Sequence, residues 1–154
     1  MFDEKKSKAF LRLKKICPDM TFEKNTIGKE VSCSGSCNHK GKVITFFSES
    51  ISEDFEVTLI LATKVFENLD SYVSKAKDKI CHVCLPLYLE DKDNDEPELN
   101  EEEYKNKLNL AGVSTFHENV VILDFCDGST PYGHLLSATS LDKGKIFTDV
   151  EAVG

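Results

Sequence analysis

The chain has no tryptophan and a single arginine, Arg12. Bidentate recognition of guanine edges and phosphates relies on guanidinium forks. With a formal net charge of −8 over 154 residues, the composition also lacks the basic footprint that nucleic-acid binding needs. Nucleic acid is therefore excluded from the expected partners. No apolar run approaches the roughly 18 residues of a membrane-spanning helix. The opening Met1-Phe2-Asp3-Glu4-Lys5-Lys6-Ser7-Lys8 has no apolar stretch before a small-residue cleavage site, so no membrane association and a cytoplasmic location are expected. Neither the Walker A nor the dinucleotide glycine pattern occurs, and nucleotide cofactors have no support. The G-x-S-x-G elbow of serine hydrolases is missing too. There is no internal repeat and no linker, and the length suits one domain spanning 1–154.

The six cysteines are Cys17, Cys33, Cys37, Cys81, Cys84 and Cys126. Without a secretory signal they read as reduced thiols. Residues 2–16 suggest a first helix, with Phe2, Phe10, Leu13 and Cys17 near helical spacing, ended by Pro18-Asp19. β-Branched and aromatic residues such as Val43-Ile44-Thr45-Phe46-Phe47 predict a hairpin of 29–36 with 42–48, turning at Asn38-His39-Lys40-Gly41. Ser50 and Glu53 fit a capping box before a helix at 51–68 with Phe55, Leu59, Ala62, Phe66 and Leu69 inward. Residues 57–61 also have strand composition, but length favours helix. A further helix from Asp70 or Ser71 should kink or end after Pro86, near Leu89. An acidic run over 90–103 reads as a solvated loop. After it, Asn100 and Glu103 form a second cap pattern for a short helix to about Leu108. The remainder predicts an antiparallel meander of 113–117, 119–126, 133–140 and 146–152. The expected class is α+β: an antiparallel sheet, made of that meander and the N-terminal hairpin, covered on one face by two or three helices.

Three groups of residues are candidates for chemistry. Cys33, Cys37 and His39 in one segment, with Cys81, His82 and Cys84 in another, offer the S and N ligands of a tetrahedral zinc site. Their spacing is not that of the common zinc fingers, and buried thiols explain the same residues. Asp91, Asp93, Asp95 and Glu102 echo a calcium loop, but Glu96 occupies the position where such a loop needs glycine. In the hairpin over 120–136, Asp124, Asp127, His117, Tyr132 and His134 are the polar residues available to converge. If Cys126 pairs with His134, Asp124 lies diagonally beside that imidazole, and a carboxylate–histidine pair is the beginning of general-base chemistry. No nucleophile accompanies it, so a structural histidine that pins the loop is the preferred reading.

The C-terminal residues resemble the bacterial domain-of-unknown-function family numbered 2262. The resemblance rests on a short helix from Leu99-Asn100, an Asp127-Gly128 turn, the Tyr132-Gly133-His134 element and a closing strand ending at Gly154. It implies no activity and no catalytic residues. The cysteine pairs are not part of that pattern. Small acidic proteins of this kind resemble immunity or accessory proteins. The leading expectation is thus a non-enzymatic module that binds another protein, with the acidic segment 90–103 meeting a basic partner. The alternatives are a small hydrolase or metal-dependent enzyme using His134 with Asp124 or Asp127, and a zinc-stabilised scaffold.

Overall fold

The computed structural model describes residues 1–25, 27–126 and 135–153. Ser7 starts α1 (Lys8–Ile16) by accepting the Phe10 N–H at 3.0 Å, and the Cys17 N–H closes the last turn on the Leu13 carbonyl. The expected start at residue 2 is therefore too early. Phe2 has turned away from the helix, donating its N–H to Ser52 Oγ at 3.2 Å and stacking edge-on against Phe55 with ring centroids 4.8 Å apart. A strand absent from the sequence reading, β1 (Thr21–Lys24), follows and pairs with β2 (Glu30–His39). The turn between β2 and β3 (Lys42–Ile51) has left-handed Lys40 and Gly41, with φ of 52° and 81°. Two such residues make the hairpin turn whose twist matches the strands, and Asn38 Oδ1 holds the Gly41 N–H at 3.1 Å. The hairpin is the expected one, lengthened at both ends.

The first capping box does not form. Ser50 pairs with Val31 inside β3, and its buried hydroxyl has no hydrogen-bond partner. A 3-10 turn over Ser52–Asp54 leads instead into α2 (Phe55–Glu67), so residues 57–61 are helical. The expected inner stripe is there: Phe55, Leu59 and Ala62 are fully buried. Next comes α3 (Leu69–Asp91), which runs on through Pro86. Proline forfeits the bond to the carbonyl four residues earlier and crowds that carbonyl, here that of His82, an exposed residue. The second cap pattern holds: Asn100 and Glu103 exchange side-chain and backbone bonds of 2.8 and 3.1 Å at the start of α4 (Glu101–Lys107).

The chain ends in β4 (Asn109–Phe116), β5 (Val120–Cys126), β6 (Leu135–Ser140) and β7 (Asp149–Val153). All described strands form a single seven-stranded sheet in sequence order, β1 to β7. It is mixed, where an antiparallel sheet is the expectation. Thr45 to Glu49 of β3 run parallel to Gly112 to Phe116 of β4, while the other ladders are antiparallel. Parallel neighbours need a long crossover, and here α2, α3 and α4 provide it. Among the described residues four helices pack against the sheet, at the four segments expected to be helical, where two or three were expected to cover it.

The two faces of the sheet differ sharply. Inward positions include Val31, Cys33, Ile44, Phe46, Val113, Val121, Leu123, Phe125 and Ala138, each at most 2% exposed. Side chains of this size contribute about 1.5–3 kcal/mol each when fully buried. Helix α2 seals this side. Phe66 meets Phe46 at 5.4 Å, and the Thr58 carbonyl accepts from Thr115 Oγ1. Strand residues alternate between faces, so the intervening positions point the other way.

Candidate interaction surface

No described helix packs over the outward positions. The ladder registers place them in rows across the strands. One row reads Thr45, Gly112, Asp124, Ser137 and Glu151. The next reads Phe47, Ser114, Ile122, Thr139 and Asp149. A third contains Glu49, Phe116 and Val120. Phe47 and Phe116 touch across β3 and β4 with ring centroids 5.7 Å apart, and both remain half-buried. Val43, 72% exposed, and Ile51 continue the apolar patch along β3.

Carboxylates surround this patch: Glu23, Glu30, Glu49, Asp124, Asp149 and Glu151. Among the described residues, no outward strand position from Thr21 to Glu151 holds lysine or arginine. The basic residues gather on the helices, such as Lys14 and Lys15 on α1, Lys75, Lys77 and Lys79 on α3, and Lys105 and Lys107 on α4. Next to the aromatics Gly112 has no side chain, and Thr45 Oγ1 fills the place a Cβ would take, with the Asp124 carboxylate alongside. Ser137 donates its hydroxyl to Asp124 Oδ1, orienting the carboxylate and leaving Oδ2 toward Gly112.

Asp124 is thus half-buried on the outward face, with Ser137 as its partner. Leu135, and not His134, stands opposite Cys126. Asp127, Tyr132 and His134 themselves lie outside the described residues. His117 occupies the β4–β5 turn, at the far end of β5 from Cys126, with φ of 55°. Its backbone is used at both ends: its N–H reaches the Glu49 carbonyl at 3.1 Å, and its carbonyl accepts from Thr58 Oγ1.

The zinc candidates divide between two elements. Cys33, Cys37 and His39 follow one another along β2, and Cys81, His82 and Cys84 lie on α3. Burial raises the Cys33 thiol to about 12, so it resists the deprotonation that metal binding requires. Cys81 is raised by burial as well and points its thiol at the Glu101 carbonyl, 3.8 Å away. His39 is 3.9 Å from Asp70, which Lys40 also contacts at 3.0 Å. Among the described residues no three His, Cys, Asp or Glu side chains converge as a metal site. Asp91, Asp93, Asp95 and Glu102 remain exposed along the end of α3, the following loop and α4.

The sequence reading missed the outward face, although a signal for it exists. In Val43-Ile44-Thr45-Phe46-Phe47 both alternating sets are apolar, so one set must face away from the helices. Among the described residues no helix is long and apolar enough to cross a membrane. No family model, no curated protein and no solved structure matches the chain. The resemblance to the family numbered 2262 gains no support from these comparisons, and its Asp127-Gly128 and Tyr132-Gly133-His134 elements lie outside the described residues.

Proposed function

We propose that the protein is a binding module without catalytic activity, and that its uncovered sheet face docks a basic protein. The observation that carries this reading is the pairing, on one face, of an aromatic centre at Phe47 and Phe116 with surrounding carboxylates and, among the described residues, no lysine or arginine at an outward strand position. Interfaces gain most of their energy from buried aromatic anchors, while complementary charge selects the partner and speeds encounter. The size is suitable. Six spacings of about 4.8 Å between seven strands, with strands roughly 17–30 Å long, give a face on the order of 500–850 Å². A standard interface uses about 800 Å² per partner. On this face Asp124 is the carboxylate offered to a lysine or arginine of the partner. The acidic run over 90–103 adds long-range attraction rather than the contact itself. An immunity or accessory protein that occludes a basic surface is the class of function this reading suits.

Affinity capture from native lysate of the source cells, comparing wild type with Phe47→Ala and Asp124→Asn, tests the reading. The asparagine side chain keeps an acceptor for the Ser137 hydroxyl, so the fold is undisturbed. The expected result is a specific basic protein whose affinity falls at least about tenfold with either substitution, the size of a hot-spot loss. Recovery of no specific protein, or of one held equally by both variants, overturns the proposal.

A further inference from the structure

The β2–β3 turn, α3 and the start of β4 enclose a pocket of about 160 Å³. Its charged lining is mostly basic, in a chain of net charge −8. Lys40 and Lys42 flank Gly41 in the turn, with His39 beside them. Across the pocket, Asp70, Val73 and Lys77 follow the three- and four-residue spacing of one face of α3. His39 and Lys42 pair with each other and continue the inward alternation of β2 and β3. The pocket therefore lies on the helix side of the sheet, away from the outward face. Its three lysines are held differently. Lys40 Nζ contacts Asp70 Oδ1 at 3.0 Å, which answers the one carboxylate among the described lining residues. Lys42 Nζ donates to Asn109 Oδ1, a neutral acceptor, at 2.8 Å. Lys77 is half-buried and has no hydrogen-bond or ion-pair partner among the described residues. Burial, and after it the charge of Lys40, holds its ammonium below the usual lysine range.

We infer that this pocket binds a phosphate group, carried by inorganic phosphate or by a small phosphomonoester. The volume accommodates one tetrahedral oxyanion with some of its water. A phosphate dianion between the turn and α3 accepts charge-assisted hydrogen bonds from Lys40, Lys42 and Lys77. Lysine suits this role as a compact charge with three donors. The dianion gives Lys77 the partner it lacks and offsets its repulsion with Lys40. A carboxylate has one charge to set against these three ammonium groups, whereas the phosphate dianion has two. A larger cleft, of about 390 Å³, shares His39 and Asp70 with the pocket and is lined further by Asn68 and Ser71. These polar groups are available to the remainder of a phosphomonoester.

Isothermal titration of the full-length chain with sodium phosphate, and separately with glycerol phosphate, at an ionic strength held constant with sodium chloride, tests this. The expected result is saturable binding that Lys77→Met weakens at least about tenfold, the size of one charge-assisted contact. Lys42→Met should weaken it likewise. Lys64→Met, which removes the same charge from α2, should bind as wild type does. In phosphate-free buffer Lys77→Met should unfold at no lower urea concentration than wild type, because the ammonium it removes is unpaired; a purely structural lysine would not behave so. Tighter binding of glycerol phosphate identifies the ligand as a phosphomonoester, and equal or weaker binding identifies it as free phosphate. Absence of saturable binding with both probes, or equal affinity in wild type and Lys77→Met, overturns the inference.

Discussion

Gly144 and Tyr72 belong to distant parts of the chain and meet in the core. Gly144 has a left-handed φ of 85°, and the Tyr72 ring fills the space that a Cβ would need. Ser140 Oγ accepts the Gly144 N–H at 2.9 Å, locking the turn. Alanine here meets two costs, the left-handed backbone and the ring. Gly144→Ala should therefore lower stability by about 1–3 kcal/mol, measured by urea unfolding. Single residues were read from sequence with uneven success. Asn100 caps its helix as its spacing with Glu103 implies, whereas Ser50, with the same spacing to Glu53, is inside a strand. Both patterns are locally equivalent. What separates them is that Ser50 continues the alternation of Ile44, Phe46 and Ser48 into the buried face, and tertiary burial overrides a local cap. The partner of Cys126 was not legible either: it is Leu135, because strand register follows side-chain alternation, and a slip by one residue exchanges the faces.

Among the elements, α4 is the most dependent on its cap. It has seven residues, too few for a helix to persist without help, and its only buried side chain among them is Tyr104. Asn100→Ala removes the acceptor for Glu103 N–H. It should cost about 1 kcal/mol, lowering the melting temperature by about 2–4 °C and speeding amide exchange across residues 103–107. The β2–β3 hairpin was legible because its turn chemistry lies within the turn itself, in Asn38 and Gly41. Strand β1 was not, since its four residues gain their inward side only through Phe22, which packs on Phe2, Phe10 and Phe55 from other elements. The outward patch was visible only in part. Phe47 stands out in the sequence, but its neighbour Phe116 is supplied by the parallel ladder, which no local pattern encodes.

For the molecule as a whole, three exposed carboxylates link stability to acidity. Asp19 is held below the usual carboxylate range by Ser36, Asp70 by Lys40, and Asp142 by the Ile146 N–H together with the Ser140 hydroxyl. A carboxyl whose folded pKa is depressed binds fewer protons folded than unfolded. Its stabilisation is complete above the unfolded value of 3.8 and is lost as pH falls through the lower folded value. Urea midpoints should hence be flat near neutrality in respect of these groups and decline progressively below about pH 4–5. In an Asp19→Asn, Asp70→Asn, Asp142→Asn triple variant, the acid decline should be shallower than in wild type. An equally steep decline would assign the acid sensitivity elsewhere.

The parallel ladder between β3 and β4 also shapes how the chain reaches its native state. On either side of it, β1 to β3 and β4 to β7 pair with their neighbours in sequence, so the partners in each half are close along the chain. Joining the halves requires residues 52–108 to be gathered first, and the entropy of closing that loop must be met before its contacts form. This one seam therefore sets the topological cost of folding. It also places Phe47 beside Phe116, so the aromatic centre of the open face comes into being only when the two halves join.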